Sequence, residues 1–228
     1  MKIAILQCGE SIESAIDLFG DYDEMCKTML GLSPSEATSY RIFDHHFPEI
    51  SAYDAFVITG SKYGVYENHS WIPPLEEKIR GMNAARKKVI GICFGHQIIA
   101  QALGGKVRKD EKGFGVGLMT YQMKIDNEMR EISLYAWHQD QVYSLPKDAH
   151  VIAHSDFCPY AGLQYGTHIL TFQAHPEFLI GYEKALLEER RGVTISTQLA
   201  DQALTSLSKP SHSKSVCRHI QNFVQDAL

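Results

Sequence analysis

A short apolar run, Val89–Ile92, leads directly into Cys93, and a second apolar stretch, Gly95–Leu103, follows it with helical spacing. Gly91 lies two residues before the cysteine and Gly95 two residues after it. This is the pattern of a sharp strand-to-helix turn that lifts a nucleophile above a sheet edge. Glycines on both sides remove the Cβ atoms that such a turn would press together. A helix N-terminus beneath the sulfur stabilises its thiolate. The backbone N–H of Phe94 then points towards an oxyanion forming on an attacked carbonyl carbon. A thiolate also needs a base. His175-Pro176-Glu177, after the strand-like Ile169–Thr171, supplies one. Glu177 can accept a hydrogen bond from one imidazole nitrogen and fix the tautomer, so that the other nitrogen faces the thiol. Cys93 and His175 are remote in sequence, so only the fold can join them.

The elements that must do the joining alternate in the first half of the chain. Lys2–Leu6, Ser39–Phe43, Ala55–Thr59 and Val89–Ile92 read as strands. Ser14–Leu30 reads as one helix with Gly31 as its C-cap, and Trp71–Lys88 as another with Pro73 and Pro74 in its first turn. This rhythm predicts a mainly parallel sheet with helices on both faces. The second half changes to short strands, Val116–Ile125, Ile132–Trp137, His150–His154, Gly162–Tyr165 and Ile169–Gln173, which predict antiparallel additions. From Tyr182 the chain reads as helical, with a last helix near Ser213–Ala227. No repeat or linker divides the 228 residues, so one α/β domain is expected, with a catalytic part over about 1–180 and helices over about 182–228.

Composition narrows the function. A net charge of −5 without a Lys/Arg cluster argues against a nucleic-acid surface, and no apolar run is long enough to span a membrane. Five scattered cysteines without a CxxC pair suggest neither a zinc knuckle nor a disulfide framework, and fit a reducing cytoplasm. Cys8, Cys26, Cys158 and Cys217 read as small buried hydrophobes. The eleven histidines show no ligand spacing, so no metal and no cofactor is expected. His96, beside the nucleophile, is assigned a structural role. Tyr63, Tyr66 and Trp71 fit equally a cap on the pocket or a cover for the sheet edge. Gly113-Phe114-Gly115-Val116-Gly117 has no helix after it and reads as a turn entering a strand, placed where it could shape the pocket.

Gly91-Ile92-Cys93-Phe94-Gly95-His96-Gln97 followed by His175-Pro176-Glu177 resembles the class I glutamine amidotransferases, and within them the stand-alone GMP-synthase-like proteins and the γ-glutamyl peptidases. The resemblance covers residues 1 to about 180. It implies a three-layer α/β/α flavodoxin-like fold and a Cys93–His175–Glu177 triad that cleaves a γ-carboxamide through a glutamyl thioester. It also implies an oxyanion site made by the amides of Phe94 and of the Gly60-Ser61 loop, where Gly-Ser-Lys stands in place of the family's usual Gly-Gly-Pro. Gln97 matches the glutamine that binds the α-amino-acid end of the substrate, and His138-Gln139-Asp140 matches a loop at the same end. Three functions remain open on the sequence. One is a glutamine-hydrolysing protein that passes ammonia to a separate synthetase. The second is a γ-glutamyl peptidase that needs no partner, and the third, a regulatory protein without turnover, is opposed by the presence of nucleophile, base and orienting acid together.

Overall fold

The computed structural model describes residues 1–33, 35–125 and 128–225. The chain begins with β1 (Ile3–Gln7), α1 (Glu13–Phe19), α2 (Tyr22–Leu30), β2 (Ala37–Arg41), β3 (Ala55–Ile58), α3 (Ile72–Ala84), β4 (Lys88–Ile92) and α4 (Phe94–Ala102). Seven strands follow: β5 (Lys106–Lys109), β6 (Gly115–Ile125), β7 (Glu128–His138), β8 (Asp140–Ser144), β9 (Ala149–His154), β10 (Gly162–Tyr165) and β11 (Ile169–Phe172). The helices α5 (Ile180–Arg190), α6 (Thr197–Ser206) and α7 (Ser213–Gln225) complete the described chain.

Nine strands form one sheet in the order β2-β1-β3-β4-β11-β10-β9-β6-β7. β2, β1, β3, β4 and β11 are mutually parallel, and the remaining pairings are antiparallel. Side-chain alternation explains the layers. In β1, Ile3 and Ile5 face a core shared with Cys26 and Met29 of α2 and Val216 and Ile220 of α7. Ala4 and Leu6 face the other core, with Leu75 and Ile79 of α3 and Ile98 and Ile99 of α4. The mixed three-layer fold expected from the sequence is therefore present. A third apolar cluster joins α1, α5 and α6 to one end of β6 and β7.

Local chemistry corrects several boundaries. The single helix expected over 14–30 is two helices. Gly20 adopts φ 78°, and a Cβ there would meet Glu24 Oε2 at 2.5 Å. Asp21 and Glu24 then form a capping box that starts α2. The strand expected over Ser39–Phe43 sits earlier, and a 3-10 turn takes over at Ile42–Asp44. The helix expected over Trp71–Lys88 stops at Ala84, because Arg86 turns left-handed at φ 51°. β5 and β8, a separate two-stranded sheet, are absent from the sequence expectations. Gly31 caps α2 in the left-handed conformation, and Pro73 and Pro74 occupy the first turn of α3, both as expected. The expected end of the last helix, Ala227, lies outside the described residues. Among the described residues no helix is long and apolar enough to cross a membrane.

Candidate active site

Cys93 caps the N-terminus of α4 at φ 52° and ψ −101°. A non-glycine residue held there stores roughly 1–3 kcal/mol of strain, which the surroundings must over-determine. They do so closely. The Cys93 N–H donates to Phe172 of β11 at 2.8 Å, and its carbonyl accepts from Gln97 N at 3.1 Å. A Cβ on Gly95 would lie 2.2 Å from the Ile58 carbonyl oxygen, and one on Gly91 would lie 2.7 Å from the Gly95 oxygen. Both glycines are therefore required by backbone packing at the elbow. Phe94 is the first residue of α4, where amides have no intrahelical partner.

β11 runs parallel to β4, so its continuation reaches the same sheet end as Cys93. The His175 N–H donates to the Tyr135 carbonyl of β7 at 2.8 Å, which fixes the backbone at this histidine. Nδ1 of His175 and Oε1 of Glu177 are 2.7 Å apart, and both side chains are almost fully buried. Phe178 stacks on the imidazole at a centroid distance of 3.9 Å. Burial works against a charged imidazole. The negative charges of Glu177 and Cys93, with hydrogen bonds to both, outweigh it and hold His175 well above its ordinary value. Because Nδ1 is committed to Glu177, the hydrogen bond to Cys93 falls to Nε2. Gly60 completes this corner, since a Cβ there would sit 3.3 Å from His175 Cε1 and 3.9 Å from Cys93 Cβ.

Around the sulfur, Gln173 Nε2 donates to Cys93 Sγ at 3.6 Å, and Sγ lies 3.8 Å from the Trp137 carbonyl. Gln97 Nε2 donates to the Asp140 carbonyl at 2.9 Å and to Gln173 Oε1 at 3.1 Å. His138 directs Nδ1 at the same Asp140 carbonyl, 3.2 Å away. Burial pushes His138 down to about 4, so this imidazole is neutral and donates through Nδ1. Burial also raises the Asp140 carboxyl, although a hydrogen bond from Tyr66 opposes the shift. Ser61 bridges two loops with its hydroxyl, donating to the Cys8 carbonyl after β1 at 2.8 Å and accepting from Tyr63 N in its own loop at 3.2 Å. The loop that departs from Gly-Gly-Pro is thus folded by a side chain that glycine lacks.

A cavity of about 360 Å³ opens over these groups, with Cys93, Ser61, Gln97, His138, Gln139 and Asp140 in its lining. Gly60, Phe94, His175 and Glu177 lie outside the lining, buried against the fold. Tyr63 and Tyr66 line the cavity, whereas Trp71 is buried against Phe94 at 5.5 Å. His96 bonds Thr171 Oγ1 at 2.8 Å through Nδ1 and is held down to about 3 by burial, in keeping with a structural role. Among the described residues no three His, Cys, Asp or Glu side chains are grouped to hold a metal.

The sequence reading placed the Phe114 turn at the pocket but missed the rest of one wall and two polar residues. Ile12, Tyr22, Phe114, Trp137, Leu186 and Arg190 also line the cavity. Gln173 touches the sulfur, and its place two residues before His175 was the available signal. Glu183 is fully buried in α5, accepts from Gly117 N at 2.9 Å, and leaves Oε2 without a partner. Burial raises it to about 8, opposed by the positive charge of His175 and by the Gly117 N–H.

The family model for class-I glutamine amidotransferases matches residues 16–193. Gamma-glutamyl peptidase 3 of Arabidopsis thaliana is 31% identical over 205 residues, covering 84% of this chain and 81% of its own. A component of the glutamine-hydrolyzing GMP synthase of Methanocaldococcus jannaschii is 35% identical over 98 residues, covering 41% of this chain and 52% of its own. A glutamine amidotransferase crystal structure from Thermotoga maritima superposes with a TM-score of 0.75 at 17% identity, covering 99% of this chain and 96% of that one.

Proposed function

Since the chain belongs to the class-I glutamine amidotransferase family, we propose that it hydrolyses γ-glutamyl amides with Cys93 as nucleophile, His175 as acid and base, and Glu177 as the group that orients His175. The observation that carries this reading is the buried His175–Glu177 pair at 2.7 Å beside a strained cysteine on a helix N-terminus. The Cys93 thiolate attacks the γ-carbonyl carbon, and a C–S bond forms. The C–N bond then breaks, and His175 gives its proton to the departing nitrogen. Water attacks the thioester, passes a proton to His175, and releases glutamate together with the thiolate. The amides of Phe94 and Ser61 are assigned to the oxyanion, beside Gly60, where a side chain would crowd the imidazole. Gln97 and His138-Gln139-Asp140 are assigned to the α-amino-acid end of the substrate.

Glutamate release from glutamine and from γ-glutamyl dipeptides tests the proposal, with Cys93→Ala as control. The wild type should turn over at least one of them, and the variant none. Turnover by Cys93→Ala at the wild-type rate would refute the mechanism. A second reading, glutamine hydrolysis in the service of a separate synthetase, is favoured by the relative named as part of a GMP synthase. Co-purification with a synthetase and glutamine-selective turnover would support it.

A further inference from the structure

The cavity has two chemically different sides that meet at Cys93. One side is polar, formed by Gln97 and the His138–Asp140 segment. The other is apolar. Ile12, Leu186, Phe114 and Trp137 belong to one apolar cluster, and the Phe114 and Trp137 rings lie 6.0 Å apart. The Trp137 carbonyl lies 3.8 Å from the sulfur, so the residue that carries one ring of this wall also reaches the Cys93 side chain.

One cation belongs to this wall. Arg190 lies one turn after Leu186 on α5, so the two share a helix face. Its carbonyl accepts from Val193, Thr194 and Ile195 at 3.0–3.3 Å, which pins the end of α5 at the cavity. Its guanidinium approaches one carboxylate, Glu189, at 3.4 Å, and that carboxylate also takes the Ser14 hydroxyl. A guanidinium has five N–H donors in a fork that matches a carboxylate, more than this one contact at 3.4 Å uses, and the Arg190 side chain stays 39% exposed. The other two lining cations are placed elsewhere. Lys109 acts on Asp140 at the polar side, and Lys62 lies over the Tyr63 ring at 5.3 Å.

Ammonia as a leaving group would have no use for an apolar wall ending in a cation. An α-amino acid would fill it, with an apolar side chain against Phe114, Trp137 and Leu186 and a carboxylate at Arg190. A volume of about 360 Å³ falls within the usual range for small-molecule sites, about 300–1,000 Å³. We propose that Arg190 recognises the carboxylate of an amino-acid leaving group, so that the preferred substrate is a γ-glutamyl dipeptide with an apolar C-terminal residue. The assignment rests on the γ-glutamyl hydrolase reading above.

The test compares γ-glutamyl-phenylalanine with its C-terminal amide, which removes only the charge that Arg190 would meet. Wild-type kcat/KM should favour the free acid by about 10- to 100-fold, the range of a charge-assisted hydrogen bond. In Arg190→Ala, and in Arg190→Met, which keeps the aliphatic stem, this preference should collapse towards one. Arg190→Lys should retain part of it. Equal rates on acid and amide in the wild type, or an unchanged preference in both variants, would overturn the assignment and leave the hydrolase reading standing. Calorimetric binding of the same two ligands to Cys93→Ala, with and without Arg190→Ala, separates the two readings. Acid-selective binding that needs Arg190, without wild-type turnover of either ligand, would keep the subsite and sink the hydrolase. Absence of binding by either ligand would sink the subsite.

Discussion

Replacing Glu183 by Gln should make the protein more stable, by an amount that grows with pH. Glu183 is completely buried and is pushed from 4.5 to about 8 by loss of hydration. In the unfolded chain at pH 7 the carboxyl is ionised, so folding must take up a proton. Linkage sets that cost at about 1 kcal/mol at pH 5 and about 3 kcal/mol at pH 7 for these two values. The sign follows from the upward shift. The contribution of this group is fully favourable below 4.5 and is lost as pH rises towards 8. Glutamine keeps an oxygen for the Gly117 N–H, which now sits 2.9 Å from Oε1. It also exchanges one unpartnered group at Oε2 for another, so that penalty is common to both proteins. Urea unfolding of both proteins at pH 5, 6, 7 and 8, followed by far-ultraviolet circular dichroism, isolates the effect as a difference. A stability difference that stays constant across this range, or a less stable Glu183→Gln at pH 7, would refute the reasoning.

Glu177→Gln should lower kcat/KM by at least tenfold less than His175→Ala does, because an orienting group contributes less than the base it orients. Equal losses in steady-state assays would contradict that division. Gly95→Ala should destabilise the fold by more than about 2 kcal/mol, since the added carbon meets the Ile58 backbone at 2.2 Å and neither element can yield cheaply. A thermal midpoint matching the wild type would show that the elbow is softer than its packing indicates. Thr171→Val should cost about 1–3 kcal/mol by leaving Nδ1 of buried His96 without its partner at 2.8 Å. Chemical denaturation measures this directly, and a neutral result would mean that His96 finds another partner.

The residues that were legible in the sequence are those whose roles are local. Gly91, Cys93 and Gly95 announce a turn because backbone sterics act within a few residues, and His175 and Glu177 are neighbours in the chain. The parallel half of the sheet was legible through buried runs such as Ala55–Ile58, which stay apolar because both faces are covered. The break between α1 and α2 was hidden because Gly20-Asp21 interrupts an apolar spacing that continues on both sides. β5 was hidden because Lys106–Lys109 carries a single apolar residue, Val107. Ile12, Leu186 and Arg190 could not be read as one wall with Phe114, because they come from distant segments. Glu183 resembled the other glutamates of α5, and only packing against Gly117 of β6 sets it apart.

The strand order has a consequence for how the protein is made. β4 carries Cys93 at its end, and one of its two sheet partners is β11, about 80 residues further along the chain. At a synthesis rate of about 5–20 residues per second, β4 waits roughly 4 to 16 s for that partner. Throughout that interval it is an open edge of the nascent sheet, and the amides of Val89 and Cys93, which in the folded protein donate to His168 and Phe172, stand unpaired. His175 arrives on the same segment that closes this edge. A ribosome-bound chain therefore brings His175 to the end of β4 and closes this edge in a single event, and a chain truncated before Ile169 should be prone to aggregate.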